Sequence, residues 1–536
     1  MSYPAMSGAI EKWKKVMGDT HVIRDSATLD YYCSNVSALK REVFAVLRPE
    51  STQQVQTIVQ IANEYKTPLY PLSCGKNWGL GSRLPVRDGA VIVDLGRMNR
   101  IREVNVEHHF AVVEAGVSQG QLYEYLVKHN LPLVLNVTGA GLRASLIGNA
   151  LERGIGYFST RADSLSGMEV VLGNGEIVRT GYAHFPNSQT KHTYKYGVGP
   201  SLDGLFFQSN YGVVTSAGVD LIPKREAHVA LIASLYDEGK LGEFVEIFAS
   251  LRKSGVIQTV VHMGNRHRTE ITLAPLIFKA LDDGRCDKDS LRKKTTDLLA
   301  AEKFASWNAV IGLLGTRAQL AAALQEIKCK LQCLASISLI TDQKLMRSKR
   351  LIQVLKFFPY FRHKKAIVHA IEPLHGLSKG IPTDAALGSL YWPIGEVPPD
   401  GTMEPDQSPC GMLYCLPMMP LSGKFAVETM RHTEDIFRRH GFVPYVTLNM
   451  IDSRTLEAVI TLAFDRRRTE QVTAAHRCIE ETQQYFIDEG LIPYRVGIQS
   501  MPQVVKAEDP FWKTVCDLKK VFDPNHIIAP GRYNLV

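Results

Sequence analysis

Residues 71–82, Pro-Leu-Ser-Cys-Gly-Lys-Asn-Trp-Gly-Leu-Gly-Ser, place three glycines and a lysine directly behind a short extended segment. Glycine reaches positive φ at no steric cost and lets the backbone approach a ligand, so such a loop can turn successive N–H groups toward an anion. The loop is a candidate pyrophosphate cradle, although a purely structural turn has the same composition. Its spacing is neither G-x-G-x-x-G nor G-x-x-x-x-G-K-S/T, so neither a Rossmann site nor a P-loop follows from it. Two more clusters of small residues lie downstream, at 139–157 and 204–215. Three such clusters in one region suit a large nucleotide without naming it.

Helical spacing of Val55, Ile58, Val59 and Ala62 predicts a helix from Thr52, followed by a strand opening at Pro68. Short Val- and Ile-rich runs at 90–94, 101–105 and 110–114 read as strands, and 119–129 as a helix. Asn174-Gly175 between β-branched runs predicts a hairpin over 167–180. From about residue 225 glycine becomes sparse and longer amphipathic stretches appear at 242–253, 289–305 and 317–333, with strands at 229–235, 412–417 and 456–464 between them. An antiparallel sheet covered by helices would bury that mixture. The expected organisation is α+β: a first domain over 1–224 with its core at 38–224, a second over 225–500, and a segment 501–536 that returns to the first.

At 536 residues the chain exceeds one ordinary core, and a hydrophobic fraction of 45% with 22% charged residues is that of a globular protein. A net charge of +8 spread over 62 basic and 54 acidic residues does not point to nucleic acid, and no recognised nucleic-acid module is present. No run of eighteen apolar residues and no apolar leader occurs, so the expectation is a cytoplasmic protein that does not span a membrane. Nine cysteines without a C-x-x-C pair and sixteen histidines without H-E-x-x-H give no metal site. The basic residues Lys344, Arg347, Lys349, Arg350, Lys356, Arg362, Lys364 and Lys365 form one local charge run. It reads either as a solvated helix face or as a dock for an acidic partner.

The loop at 71–82, Gly148-Asn149, Glu152 to Tyr157, Met168 to Gly181, Gly197 to Gly204, Gln208 to Thr215 and the closing Asp523-Pro-Asn-His-Ile-Ile-Ala-Pro-Gly-Arg532 together resemble the vanillyl-alcohol oxidase and 4-cresol dehydrogenase family. The resemblance implies a two-domain fold in which a cap domain covers the isoalloxazine ring of FAD. It implies FAD contacts from Pro71, Ser73, Cys74, Gly75, Lys76, Asn77, Gly79 and Gly81 in the first loop. In the second cluster it implies contacts from Gly141, Gly148, Asn149, Glu152, Gly156 and Tyr157, and further along from Val213 and Arg532.

The family's chemistry is hydride transfer from a benzylic carbon to flavin N5, with a phenol held as phenolate. Tyr494-Arg495 falls on the family's phenolate-binding pair; a strand arginine paired with a local carboxylate is the alternative. The family's third phenolate ligand, a tyrosine, falls at Leu80, and the region around Ala140 lacks the aspartate of the alcohol oxidase. The histidine that links flavin in that oxidase has no counterpart in 455–460, whereas Tyr445 falls near the tyrosine that carries the link in 4-cresol dehydrogenase. Packing as an ordinary strand tyrosine is its alternative. The expectation is an FAD-dependent oxidoreductase acting on a small phenolic or anionic-headed aromatic, and a homo-oligomer such as a homodimer. A dehydrogenase or desaturase of a non-phenolic alcohol, 2-hydroxy acid or carrier-bound intermediate is the alternative. A redox or carrier protein as partner stays open.

Overall fold

The computed structural model describes residues 3–284, 286–354, 359–399 and 401–536. Its first sheet has the order Val22–Ile23, Val43–Leu47, Ala90–Asp94, Leu69–Leu72, with the last three strands parallel. Parallel strands need a crossover, and the helix Thr52–Tyr65 supplies it between Val43–Leu47 and Leu69–Leu72. Ser51 caps the helix by accepting from the Gln54 N–H, and Lys66 ends it in the left-handed region. Its buried face, Val55, Ile58, Val59, Ile61 and Ala62, packs on Val46, Val91 and Val93 of the sheet. The strand Leu69–Leu72 then runs straight into the glycine loop.

A second sheet, of five antiparallel strands, has the order Ile101–Asn105, Phe110–Glu114, Gly212–Asp220, Leu165–Leu172, Ile177–Arg179. The hairpin read from Asn174-Gly175 is its last pair, with Gly175 at φ 89°.

The third sheet is the largest. It runs Ser336–Ile340, Ala227–Leu235, Trp307–Gly315, Val261–Asn265, Tyr445–Met450, Thr455–Asp465, Cys410–Cys415, with Met418–Pro420 added on Thr455–Asp465, and every pair is antiparallel. Alternation along Thr455–Asp465 sends Leu456, Ala458, Ile460, Leu462 and Phe464 into a core roofed by the helices Leu241–Lys253, Arg317–Leu331, Gly423–Arg439 and Thr469–Asp488. Glu457, Val459, Thr461 and Ala463 therefore occupy the opposite face, and they line a cleft shared with the glycine loop. The helix expected over 289–305 stops at Ala301, because Glu302 leaves helical φ/ψ and the chain extends into Trp307–Gly315.

The basic run falls on the helices Asp342–Val354 and Pro359–Leu377. Lys349 pairs with Glu372 at 2.5 Å and Lys364 with Glu302 at 3.3 Å, so part of the run is neutralised locally. Lys356 and the side chain of Arg362 lie outside the described residues.

The C-terminal motif returns to the first sheet. The Leu69 N–H donates to the Ile527 carbonyl and the Ala529 N–H to the Leu69 carbonyl, both at 2.7 Å, which extends the edge of Leu69–Leu72. Lys519 and Asp523, both fully buried, anchor this return: their ion pair is 2.6 Å long, and Lys519 also donates to the carbonyls of Asn210 and Ile528. Asp523 accepts in turn from the N–H groups of Ile527 and Ile528. Removing one partner of a buried pair strands the other charge, so Asp523→Ala should destabilise the fold by about 3–5 kcal/mol. Denaturant unfolding of the variant checks this, and a loss below about 1 kcal/mol, the range of exposed pairs, would contradict it.

Candidate active site

Two adjoining clefts meet at the glycine loop, one within the glycine-rich region and one between that loop and the large sheet. The first, of about 1080 Å³, is walled by the loop after Leu69–Leu72, the start of the helix Leu146–Leu151, the strand Gly212–Asp220 and the C-terminal residues Ile528, Ala529 and Arg532. Ser145 sets the helix start: its Oγ accepts from the Gly148 N–H at 2.9 Å and donates to the Ala115 carbonyl at 2.8 Å. Gly148 faces Ser73 so closely that a Cβ would overlap the Ser73 hydroxyl, which is why the two clusters meet at a glycine.

This cleft suits a dinucleotide. Among the described residues, no backbone N–H from Cys74 to Gly79 finds a protein acceptor, the condition of an anion cradle. Asn149 Oδ1 and Glu152 Oε2 are buried without a partner on the same wall, and buried polar groups are normally satisfied. Arg532 donates to Glu152 Oε1 at 2.6 Å and to the Tyr70 hydroxyl at 3.3 Å, so the C-terminal motif fixes that wall from behind.

Of the residues named from the sequence, Pro71, Ser73, Gly75, Lys76, Asn77, Gly148, Asn149, Glu152, Val213 and Arg532 line this cleft. Cys74 points away, its Sγ on the Gly116 carbonyl, and burial pushes its thiol up to about 12. Gly79 packs under Tyr414, Gly81 against Ile498, Gly141 against Asp384 and Leu387, and Gly156 against Asn136. Tyr157 packs against His262 at 4.5 Å between ring centroids, with the rings tilted by 44°. Lys76, placed in the cradle, has its ammonium 2.7 Å from Glu404, which Arg143 also contacts at 2.5 Å. Lys76 is thus a strut from the glycine loop to the segment that leads into the strand Cys410–Cys415, and its charge is already matched.

The second cleft, of about 1120 Å³, shares Lys76, Asn77 and Asn149 with the first and continues along the polar face of the large sheet. Tyr494 and Arg495 lie in it. Arg495 Nη2 donates to Asn77 Oδ1 at 2.6 Å, while its Nε is buried without a partner. The backbone of Tyr494 is held from both sides: its N–H donates to the Leu416 carbonyl at 3.2 Å, and its carbonyl accepts from Gln208 Nε2 at 2.8 Å. Burial first, and the neighbouring Glu457 second, push the Tyr494 hydroxyl far above its ordinary pKa, so it stays protonated and available as a donor.

Three residues absent from the sequence reading complete the cluster. Glu457 is fully buried, and its Oε1 has no partner. Strand register places Asn449 opposite Glu457 and His262 opposite Asn449, so the three stand in a row across adjacent strands. Asn449 Nδ2 donates to Glu457 Oε2 at 2.8 Å, and His262 Nδ1 lies 2.7 Å from Asn449 Oδ1. Burial lowers His262 to about 4, so it is a neutral imidazole whose Nδ1–H donates to Asn449. Burial likewise raises Glu457 to about 7, against partial relief from Asn449, Tyr494 and Arg495. Leu80 supplies an apolar wall, and Tyr445, opposite Thr461, stands on the same face.

A family model described as an FAD binding domain matches residues 44–181. The chain is similar to the 1'-carboxy-chondrochloren decarboxylase of Chondromyces crocatus, 31% identical over 100% of this chain and 98% of that one. It is similar to the 4-cresol dehydrogenase [hydroxylating] flavoprotein subunit of Pseudomonas putida, 28% identical over 98% and 94%. A crystal structure of p-cresol methylhydroxylase with substrate bound superimposes with a TM-score of 0.83 at 27% identity, over 99% of this chain and 97% of that one. The chain belongs to the 4-cresol dehydrogenase family of FAD-linked oxidoreductases. As a member of this family it is an FAD-dependent oxidoreductase, and the first cleft carries the unsatisfied polar groups that FAD requires. Among the described residues, no helix is long and apolar enough to cross a membrane.

Glu457 makes the site pH-sensitive. Its folded pKa of about 7 exceeds the ordinary 4.5, so the folded state binds the proton more tightly, and stability falls as pH rises from about 4.5 to 7. Glu457→Gln should therefore raise the melting temperature at pH 8 and leave it nearly unchanged at pH 4.5. An equal shift at both pH values, followed by calorimetry, would show that the carboxylate is not held protonated by burial.

Proposed function

We propose that this member of the family dehydrogenates a phenol at the carbon attached para to its hydroxyl. The observation that carries the reading is the buried constellation of Arg495, with an unpartnered Nε, beside a protonated Tyr494 and a Glu457 carboxylate with an unpartnered Oε1. Arginine keeps its charge at every working pH, so Arg495 can hold the phenol oxygen as phenolate, and Tyr494 adds a second donor. The proton released by the phenol needs an acceptor, and Glu457 at about 7 is matched to take it at Oε1. Asn449 and the neutral His262 keep the Glu457 carboxylate oriented while it does so. A phenolate pushes electron density to the para carbon and so eases hydride loss from the carbon attached there. Bound FAD supplies the hydride acceptor.

The names of the relatives, a dehydrogenase of 4-cresol and a p-cresol methylhydroxylase, support a para-alkylphenol as the substrate class. Leu80 leaves the oxygen with one donor fewer than the family pattern and widens the apolar wall, which favours a larger alkyl substituent. The Pseudomonas putida relative is named a flavoprotein subunit, which supports a second chain as electron-accepting partner. Tyr445 is the proposed site of any covalent flavin link. Acid precipitation of the yellow protein tests this: flavin retained in the pellet and released by Tyr445→Phe supports the link, and flavin in the supernatant of the wild type removes it.

Arg495→Ala should lower kcat/KM for a para-alkylphenol by about 10²–10³ while FAD content is unchanged, since removal of one charge-stabilising donor costs that much. Loss of the flavin with the arginine would reassign Arg495 to the cofactor. In the wild type kcat/KM should rise with pH through about 7 as Glu457 ionises. In Glu457→Gln that limb should be absent; a limb that survives the substitution excludes Glu457 as the proton acceptor.

A further inference from the structure

The second cleft holds one more cation than the proposed reaction uses. Arg268 lines it from the first turn of the helix Arg266–Leu281, and among the described residues its guanidinium has no hydrogen-bond or ion-pair partner. Its backbone is fixed: the Arg268 N–H donates to the capping Asn265 Oδ1 at 2.9 Å, and its carbonyl accepts from Thr272 Oγ1 at 2.7 Å. The nearby Glu270 does not neutralise it, since Glu270 faces His267 at 3.8 Å.

Electrostatics make this position unfavourable as it stands. The first turn carries Arg266, His267 and Arg268 and no acidic residue, and the N-terminus of a helix is the positive end of its dipole. A cation there is destabilised unless an anion sits with it. Within the cleft the charges also fail to balance. Lys76 is matched by Glu404, and Glu152, which also acts on Arg495, is paired with Arg532; the lining of the cleft then offers Arg268 and Arg495 one carboxylate, Glu457, whose burial favours its neutral form.

The two arginines stand apart. Arg268 starts its helix behind Asn265, whose side chain bonds Pro444 and Val446 at the Tyr445 end of the sheet, opposite Thr461, whereas Glu457, stabilised by Tyr494 and Arg495, lies four residues away along Thr455–Asp465. Arg495 belongs to the end of the cleft at Asn77. The cleft lining also includes the apolar side chains Leu80, Ile271, Leu390 and Met412. A ligand that satisfies the whole cleft has a hydrogen-bonding head, an apolar body and an anionic tail. We infer that Arg268 binds a carboxylate on the side chain of the substrate, so that the natural substrate is a phenol whose para substituent ends in a carboxylate. This rests on the reading of Tyr494 and Arg495 as the phenol site and extends it to the other end of the molecule.

Calorimetric titration of the FAD-loaded protein with paired ligands tests the inference. The pairs are 4-hydroxyphenylacetate, 3-(4-hydroxyphenyl)propanoate and 4-(4-hydroxyphenyl)butanoate, each against the neutral 4-alkylphenol of the same length. At least one acid should bind about tenfold or more tightly than its neutral partner, the scale of one charge-assisted hydrogen bond. Arg268→Met should abolish that preference with little change for the alkylphenol, and Arg268→Lys should keep part of it. Equal binding of acids and alkylphenols by the wild type, or a preference that survives in Arg268→Met, would overturn the inference. If 3-phenylpropanoate, without the hydroxyl, binds as tightly as its hydroxylated counterpart while the Arg268 dependence holds, the phenol reading falls and the Arg268 assignment stands. FAD content and unfolding midpoint of each variant separate a lost contact from a lost fold, and Arg268→Lys carries the test if Arg268→Met does not fold.

Discussion

The two-residue alternation of the strand Thr455–Asp465 is the constraint on which the site depends. It sends five apolar side chains into the helix-covered core and so leaves no freedom over where Glu457, Val459, Thr461 and Ala463 go. A slip of one residue would bury Glu457 among hydrocarbon and expose Leu456, an exchange the core would not tolerate. Antiparallel pairing then places Asn449 and His262 in line with Glu457, so a stable sheet and an oriented carboxylate are two faces of the same packing.

The opposite side of the site has a different origin. The glycine loop contributes little core of its own beyond Trp78. It is positioned by a parallel strand behind it and by the C-terminal motif, which is held through the buried Lys519–Asp523 pair. Polar contacts cross the gap, Lys76 to Glu404, Arg495 to Asn77, and Gln208 to the carbonyl of Tyr494, beside an apolar contact of Trp78 with Leu390 and Met412. Hydrogen bonds in a cleft of low dielectric fix position sharply, and groups left unpaired there are correspondingly avid for a ligand. The unpartnered atoms, Asn149 Oδ1, Glu152 Oε2, Arg495 Nε and Glu457 Oε1, mark where cofactor and substrate have to supply what the protein does not.

Much of this was legible in the sequence. Local signals carried the glycine loop, the helix from Thr52, the Asn174-Gly175 hairpin and two of the helices over the large sheet, Leu241–Lys253 and Arg317–Leu331, because turn chemistry and periodicity are properties of adjacent residues. Tyr494-Arg495 was legible through family resemblance, and the family and its cofactor follow from the matched chain as well. Glu457, Asn449 and His262 were not read, since they come together only through strand register over nearly two hundred residues. A signal for Glu457 was nonetheless present: a carboxylate at a position whose neighbours alternate apolar on a strand rich in β-branched residues has to point somewhere enclosed. Lys76 shows the converse. Its place in a glycine loop suggests a phosphate ligand, yet Glu404, far along the chain, holds its ammonium. Arg268 carried no pattern of its own, and only the cleft gives it meaning.

The most direct test of the account is a crystal structure of the FAD-loaded protein with a para-alkylphenol bound. The account predicts the phenol oxygen within hydrogen-bond reach of Arg495 and Tyr494, with Glu457 Oε1 beside it and the alkyl chain directed along Leu80 toward Arg268. A phenol bound with its oxygen away from Arg495, or outside the cleft that Glu457 lines, would contradict it.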